Sequence, residues 1–260
     1  MSKKAVFFDI DGTLWDRQMN IPESAKKAIT QLREKGIYTF ICTGRAPAFL
    51  TSPKLKALDL DGILAGCGTY VSFHGEELLC KYLEPELVQK TLDILRAYNM
   101  SVVFEGKDYE YADELLKDDS YYPILKKELG DTLLDVDACS MKWKANKFSA
   151  TIRGGNYMEA IHKLEEWYLM IVHDNVVCEG VPKGYSKASG IQFICEKLGV
   201  AREDTYAFGD SANDKEMLEY AGCGIAMGNG TDAAKNVADY VTDSLDNDGI
   251  YNASKHFGLI

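Results

Sequence analysis

AVFFDIDGTL, residues Ala5 to Leu14, is an apolar run that stops abruptly at two carboxylates. Ala5 to Ile10 is short, continuous and apolar and ends in a polar loop, the pattern of a fully buried strand in a parallel sheet. From Pro22 to Lys35 apolar residues recur at helical spacing (Ala25, Ala28, Ile29, Leu32), Pro22 suits a first turn, and Gly36 stops the helix. Ile37 to Cys42 (IYTFIC) is a second buried strand, ending in Thr43-Gly44-Arg45. Strand, helix and strand in this order make a βαβ unit.

The same grammar returns near the C-terminus. Lys187 to Leu198 reads as a helix and Thr205 to Phe208 as a strand, followed by the loop Gly209-Asp210-Ser211-Ala212-Asn213-Asp214. A helix at Lys215 to Ala221, a strand at Gly224 to Met227, a helix from Asp232 and a strand at Asp239 to Thr242 continue the alternation. The middle differs: Ser101 to Glu105 with Tyr109 to Ala112, and Lys147 to Ile152 with Met170 to His173 and Val176 to Glu179, read as paired strands flanked by helices. The expectation is an α/β fold with an inserted α+β domain. Its edges fall near Leu83 and Lys183, so that 1–83 and 183–260 form the core and 84–182 the insertion.

The 260 residues are 46% hydrophobic, enough for one large core or a core and a smaller second one, and the formal net charge is −11. That charge argues against nucleic acid as a partner, because backbone phosphates are held by clustered Lys and Arg. An anionic ligand must instead be held locally, by a metal, a few N–H groups and one or two cations. The seven cysteines show no C-x-x-C pair and no histidine at metal-ligand spacing, which argues against zinc. Their odd number and the lack of an apolar leader lead us to expect a cytoplasmic protein. No apolar run approaches the roughly 18 residues needed to cross a bilayer.

Asp9 and Asp11 stand at the C-terminal end of the first strand, where open α/β sheets place their ligands. Two acids so close repel unless a cation or a shared proton intervenes. Gly12 lets the backbone turn and expose N–H groups, and Thr13 adds a hydroxyl of the kind an anion pocket needs. Thr43 and Gly44 emerge after a parallel strand at the same edge, and a third loop brings Asp210, Asn213 and Asp214 there. Carboxylates without His or Cys suit Mg²⁺, which takes one or two of them and keeps several waters. Lys187 would offset these acids, although a lysine by itself is more often exposed.

Together, DIDGTL (Asp9 to Leu14), Thr43-Gly44-Arg45, Lys187 and GDSAND (Gly209 to Asp214) resemble the four motifs of the haloacid dehalogenase superfamily. Their order and the tail DNDGIYNASKHFGLI (Asp246 to Ile260) are similar to its Cof-like branch, which carries a large inserted cap over a Rossmann-like core. The resemblance implies a phosphatase acting on small phosphomonoesters, with sugar phosphates as the expected substrates and Mg²⁺ as cofactor. It assigns Asp9 as nucleophile and Asp11 as general acid and base, with Asp9, the carbonyl of Asp11 and Asp210 on the metal. Gly12, Thr43, Gly44, Lys187 and Asn213 would hold the phosphate, and Asp214 would stand behind Lys187 or the metal. An acid at position 11 argues against dehalogenation, because a halide leaves without a proton.

Where that branch usually carries Asn-Gly-Ala, this chain has Cys67-Gly68-Thr69. A substrate contact from the missing amide is therefore not expected. The implied partner is a phosphorylated metabolite, with no membrane contact and a monomer or weak homo-oligomer. The alternatives are a regulatory module that stores a phosphoryl group on Asp9, and a phosphomutase. The histidines (His74, His162, His173, His256) are isolated along the chain, and aromatic residues of the insertion are expected mainly in its core, with one or two left to meet a substrate.

Overall fold

The computed structural model describes residues 3–173 and 175–260, which divide into two compact units. The first comprises Met1–Gly44, Thr51–Leu79 and Ser186–Ile260, and the second Arg45–Leu50 with Cys80–Tyr185. The strands in chain order begin with β1 (Ala5–Phe8), β2 (Tyr38–Cys42), β3 (Gly62–Ala65), β4 (Tyr70–Phe73) and β5 (Glu76–Cys80). Next come β6 (Ser101–Gly106), β7 (Glu110–Ala112), β8 (Leu133–Asp135), β9 (Ala145–Thr151), β10 (Tyr168–His173) and β11 (Val177–Pro182). The last three are β12 (Thr205–Gly209), β13 (Cys223–Ala226) and β14 (Tyr240–Val241).

The first unit is built on an eight-stranded sheet ordered β14-β13-β12-β1-β2-β3-β4-β5. β1 is central and parallel to both neighbours, with Phe8 opposite Ile41 on one side and Phe208 on the other. Side chains from both faces of β1 are buried, which is why it reads as an unbroken apolar run. Phe7 stacks on Phe40 at 5.1 Å and Phe8 on Phe208 at 5.2 Å, so aromatic pairs tie the three central strands together. β4 turns back antiparallel on β3.

Helix α1 spans Glu23–Glu34 and buries Ala25, Ala28, Ile29 and Leu32, the stripe anticipated from spacing. Each large member of that stripe contributes roughly 1.5–3 kcal/mol by leaving water. The helix covering Lys187–Leu198 begins where expected because Ser186 and Ser189 form a reciprocal capping box. It ends where Gly199 adopts the left-handed conformation that glycine tolerates. The strands near the C-terminus keep their predicted places within a residue or two, as terminal pairing makes usual.

The second unit carries a six-stranded sheet ordered β10-β11-β9-β6-β7-β8. Its pairs are antiparallel except β7 with β8. One face packs Phe104, Tyr111, Phe148 and Cys178 against two helices, Pro85–Ala97 and Tyr157–Leu164. Trp143 is buried there with its indole N–H donated to the carbonyl of Val136 at 2.8 Å. Trp143 and Tyr111 thus fill the core, whereas Tyr109 and Tyr121 stay exposed. Among the described residues no helix is long and apolar enough to cross a membrane.

Candidate active site

Asp9 follows β1 directly, and its N–H donates to the carbonyl of Phe208 at 2.9 Å, extending the ladder one residue past the strand. The extension fixes the Asp9 backbone against β12 and turns its carboxylate, 4% exposed, into the first unit. Lys187, 2% exposed, meets it: Nζ lies 2.6 Å from Asp9 Oδ1 and 2.6 Å from Asp214 Oδ1. The lysine side chain is buried because two acids take it up; an isolated ammonium would not be left out of water. The capping box at Ser186 and a thiol contact from Cys42 to the Lys187 carbonyl hold the base of that side chain.

The other oxygen of Asp214 accepts N–H groups from Asp210 and Ser211, both at 2.9 Å, so the loop after β12 closes on its own acid. Asp214 has little capacity left, and its part is to position Lys187 and the loop. Asp210 accepts the hydroxyl of Thr13 on Oδ1 at 2.8 Å. This corrects the expectation for Thr13: its proton belongs to Asp210 and is not free for an anion. Carboxylate oxygens of Asp9, Asp210 and Asp214 all lie within 4.8 Å of one another. Asp9 and Asp210 each retain an oxygen that accepts no protein hydrogen bond among the described residues.

Asp11 is not one of those three carboxylates, but its charge adds to the rise of Asp210. Its side chain is exposed at the surface of the unit, and Oδ1 accepts the indole N–H of the buried Trp15 at 2.9 Å. Gly12 between them has φ +87°, and a Cβ there would stand 2.5 Å from Asp210 Oδ2, so no other residue fits without displacing that carboxylate. Asn229, which sequence reasoning passed over, donates to the Gly12 carbonyl at 2.8 Å and accepts the N–H of Leu245 at 2.8 Å. The available signal was the Gly228-Asn229-Gly230-Thr231 loop after β13, a further strand end on the edge that carries Asp9. Thr231 belongs to the same brace, its N–H reaching the Asp210 carbonyl at 2.7 Å.

Thr43 and Gly44 are buried just beyond β2, two and three residues past Ile41, the partner of Phe8. The Thr43 N–H donates to Leu64 and its carbonyl accepts from Cys67, so β3 braces this loop. Cys67 takes φ +53°, and Gly68 passes so close to the Ser186 carbonyl that a Cβ would lie 2.3 Å from it. Asn213 receives the Ser211 hydroxyl on Oδ1 at 2.7 Å.

Three carboxylates against one ammonium leave the cluster negative. Burial, then the charge of Asp214, push the Asp9 carboxyl up to about 8 although Lys187 pulls it down. Burial raises Asp210 to about 6 against the pull of the Thr13 hydrogen bond. Such a site favours a hard divalent cation, which would restore ionised carboxylates, and Asp9 and Asp210 are the residues with oxygens to offer it.

The family model of haloacid dehalogenase-like hydrolases matches residues 6–253. The chain belongs to this family. It is 32% identical over its whole length to YkrA of Bacillus subtilis, itself covered in full. It is also similar to the 5-amino-6-(5-phospho-D-ribitylamino)uracil phosphatase YitU of the same organism, at 31% identity over 97% of this chain and 96% of that one. Among solved structures, the subclass IIB sugar phosphatase BT4131 aligns with TM-score 0.85 and 28% identity, covering 99% of this chain and 100% of that one. The phosphatase BT1666 of Bacteroides thetaiotaomicron aligns with TM-score 0.87 and 26% identity, covering 100% and 96%. This hydrolase family is the one that the four motifs resemble.

Proposed function

We propose that this hydrolase is a Mg²⁺-dependent phosphatase that cleaves small phosphomonoesters, sugar phosphates foremost, through an aspartyl phosphate on Asp9. The observation that carries this reading is the buried contact of Asp9 with Lys187 beside Asp210 and Asp214. A carboxylate fixed to a sheet edge with one oxygen on a lysine and the other unbonded is an oriented nucleophile. The names of YitU and BT4131 supply the substrate class.

Asp9 attacks phosphorus as the bond to the leaving oxygen breaks, and Asp11 gives that oxygen its proton. Asp11 then takes a proton from water, which attacks the phosphorus of the aspartyl phosphate and returns Asp9 as carboxylate. Trp15 holds Asp11 in one orientation while it donates and recovers the proton. Lys187 offsets charge on Asp9 and on the phosphoryl oxygens, and Gly12, Thr43, Gly44 and Asn213 line the phosphate's place. A Mg²⁺ held by Asp9, Asp210 and the carbonyl of Asp11 would supply the positive charge that keeps the acids ionised and screens them from the phosphate. The inserted unit, 84–182 in outline, would be the cap that selects the organic group, with the core at 1–83 and 183–260. The enzyme would work in the cytoplasm.

Purified protein should release phosphate from an aryl phosphate and from hexose, pentose or pentitol phosphates when Mg²⁺ is present. Absence of turnover across that panel, or a long-lived acyl phosphate with no release, would favour a phosphoacceptor module instead.

A further inference from the structure

The loop that follows β13, Gly228-Asn229-Gly230-Thr231, touches both acid-bearing strand ends of the first unit. On one side Thr231 donates its N–H to the Asp210 carbonyl at 2.7 Å, and its hydroxyl lies 3.3 Å from the same oxygen. Gly230 passes so close that a Cβ there would stand 2.8 Å from that oxygen. On the other side the Asn229 amide donates to the Gly12 carbonyl at 2.8 Å. Behind the loop, Gly228 donates to the Asp243 carbonyl at 3.0 Å, and Asn229 Oδ1 accepts the Leu245 N–H at 2.8 Å. In the sheet β12 stands between β13 and β1, so the loop reaches past one strand end to hold the next.

Asn229 is exposed, and an exposed amide has water available at both of its ends. Both ends go to backbone groups instead, and those partners fix the amide's orientation, since a carbonyl only accepts and an N–H only donates. The consequence falls on Gly12. Its N–H donates to the Trp15 carbonyl at 3.0 Å, so with Asn229 on its carbonyl the residue is held at both of its peptide groups. Gly12 needs this hold, because at φ +87° a glycine has many other conformations open to it. The peptide before Gly12 carries the Asp11 carbonyl. The peptide after it leads into Thr13, whose hydroxyl holds Asp210 Oδ1 at 2.8 Å. One exposed side chain therefore acts on the spacing between the Asp11 carbonyl and Asp210.

We infer that Asn229 is a positioning residue for the metal site: through Gly12 it holds the Asp11 carbonyl at the spacing from Asp9 and Asp210 that Mg²⁺ requires. The inference rests on the reading of Asp9, Asp210 and the Asp11 carbonyl as the residues that hold the metal. Oxygens from two strand ends suit a small octahedral ion only if their separations are set beforehand, because Mg²⁺ tolerates little departure from its geometry. Loosening Gly12 would defer that ordering to the moment of binding and weaken affinity. The stability of the metal-free protein should change little, since Asn229 lies outside the core.

The test uses Asn229→Ala, which loses both bonds, and Asn229→Asp, which keeps the acceptor for Leu245 and loses the donor to Gly12. Asn229→Asp also adds a negative charge beside Gly12, and by charge alone it would tighten the binding of a cation. Positioning predicts the opposite sign. Calorimetric titration of the metal-free protein with Mg²⁺, without substrate, should give a Kd about threefold to tenfold higher than wild type in both variants, the factor that one net hydrogen bond supplies. The Tm of the metal-free variants should stay within about 3 °C of wild type. With an aryl phosphate, the Mg²⁺ concentration giving half-maximal rate should rise by the same factor, while kcat at saturating Mg²⁺ and KM for the ester change by less than about twofold. Unchanged Mg²⁺ affinity in either variant, or tighter binding in Asn229→Asp, overturns the inference, as does a fall in metal-free Tm that leaves the affinity where it was. Should Asn229→Ala fail to fold, Asn229→Asp decides alone. A wild type that binds Mg²⁺ and hydrolyses nothing refutes the phosphatase reading and leaves the calorimetry to judge Asn229. A wild type that binds no Mg²⁺ overturns the inference whatever its turnover.

Discussion

Trp15 donates its indole N–H to Asp11 Oδ1 at 2.9 Å, a bond between a fully enclosed ring and an exposed acid. The ring cannot move without opening the core, so the acid is held by something rigid. Trp15→Phe removes the donor and keeps an aromatic ring in the core, at the cost of a small void. We predict kcat lower by about tenfold, KM changed little and a stability loss of about 1 kcal/mol. Asp11→Asn should cost about 10²–10⁴ in kcat. Steady-state kinetics and chemical denaturation of both variants check this ordering.

Lys187 is the counter-charge to two buried acids, and removing one partner of such a set leaves the others uncompensated. Lys187→Met should lower stability by about 3–5 kcal/mol and abolish turnover. The destabilisation should be smaller at pH 5 than at pH 8, because protonation of Asp9, whose carboxyl burial and then the charge of Asp214 push up to about 8, relieves the excess negative charge. Urea unfolding at the two pH values measures it.

Gly12→Ala tests the closest approach in the site. Its φ of +87° and the 2.5 Å contact with Asp210 Oδ2 each disfavour a Cβ. The expected outcome is a loss of about 1–3 kcal/mol together with a drop in Mg²⁺ affinity, read by titration calorimetry.

Metal removal should show the acids' state. Burial and Asp214 hold Asp9 near 8 and burial holds Asp210 near 6 without a cation, so binding Mg²⁺ displaces protons. Affinity should therefore rise as pH rises. The Mg²⁺-induced increase in Tm is predicted to be larger at pH 8.5 than at pH 6, and chelation should abolish activity.

Glu179 gives the acid limb of stability. Burial alone would raise its carboxyl, but Lys147 and His173 outweigh burial and hold it well below its ordinary value of 4.5. A depressed folded-state pKa contributes stability above that value, and the contribution is lost as pH falls below it. Glu179→Gln should flatten the decline in Tm between pH 5 and the acid range, as followed by circular dichroism.

The fold was largely legible because the central strands are buried on both sides and need unbroken apolar runs: AVFF, TFIC and TYAF admit few other readings. The helix at Lys187 was legible for another local reason, the Ser186 and Ser189 cap. Strands β4 and β5 were missed; β5 is Glu-rich and half-exposed, without the apolar signal that marks a buried strand. The helix Gly249–His256 was met only as a tail, since its stripe is short.

Within the candidate site, spacing gave the types of residue but not their partners. Thr13 looked available to an anion, yet its nearest acceptor comes from a residue 197 positions away. Lys187 and Asp9 are likewise 178 positions apart, and only the parallel order of β12, β1 and β2 brings such residues to one edge. The bond of Asn229 to Gly12, across 217 positions, was illegible for the same reason.

The most direct test is a rapid acid quench of Asp11→Asn with excess substrate and Mg²⁺, followed by mass spectrometry of the peptide bearing Asp9. We predict one added phosphoryl group on Asp9, accumulating because the group that activates water is gone. Turnover of Asp9→Asn at the wild-type rate, or phosphate release with Asp9 never modified, would contradict the account.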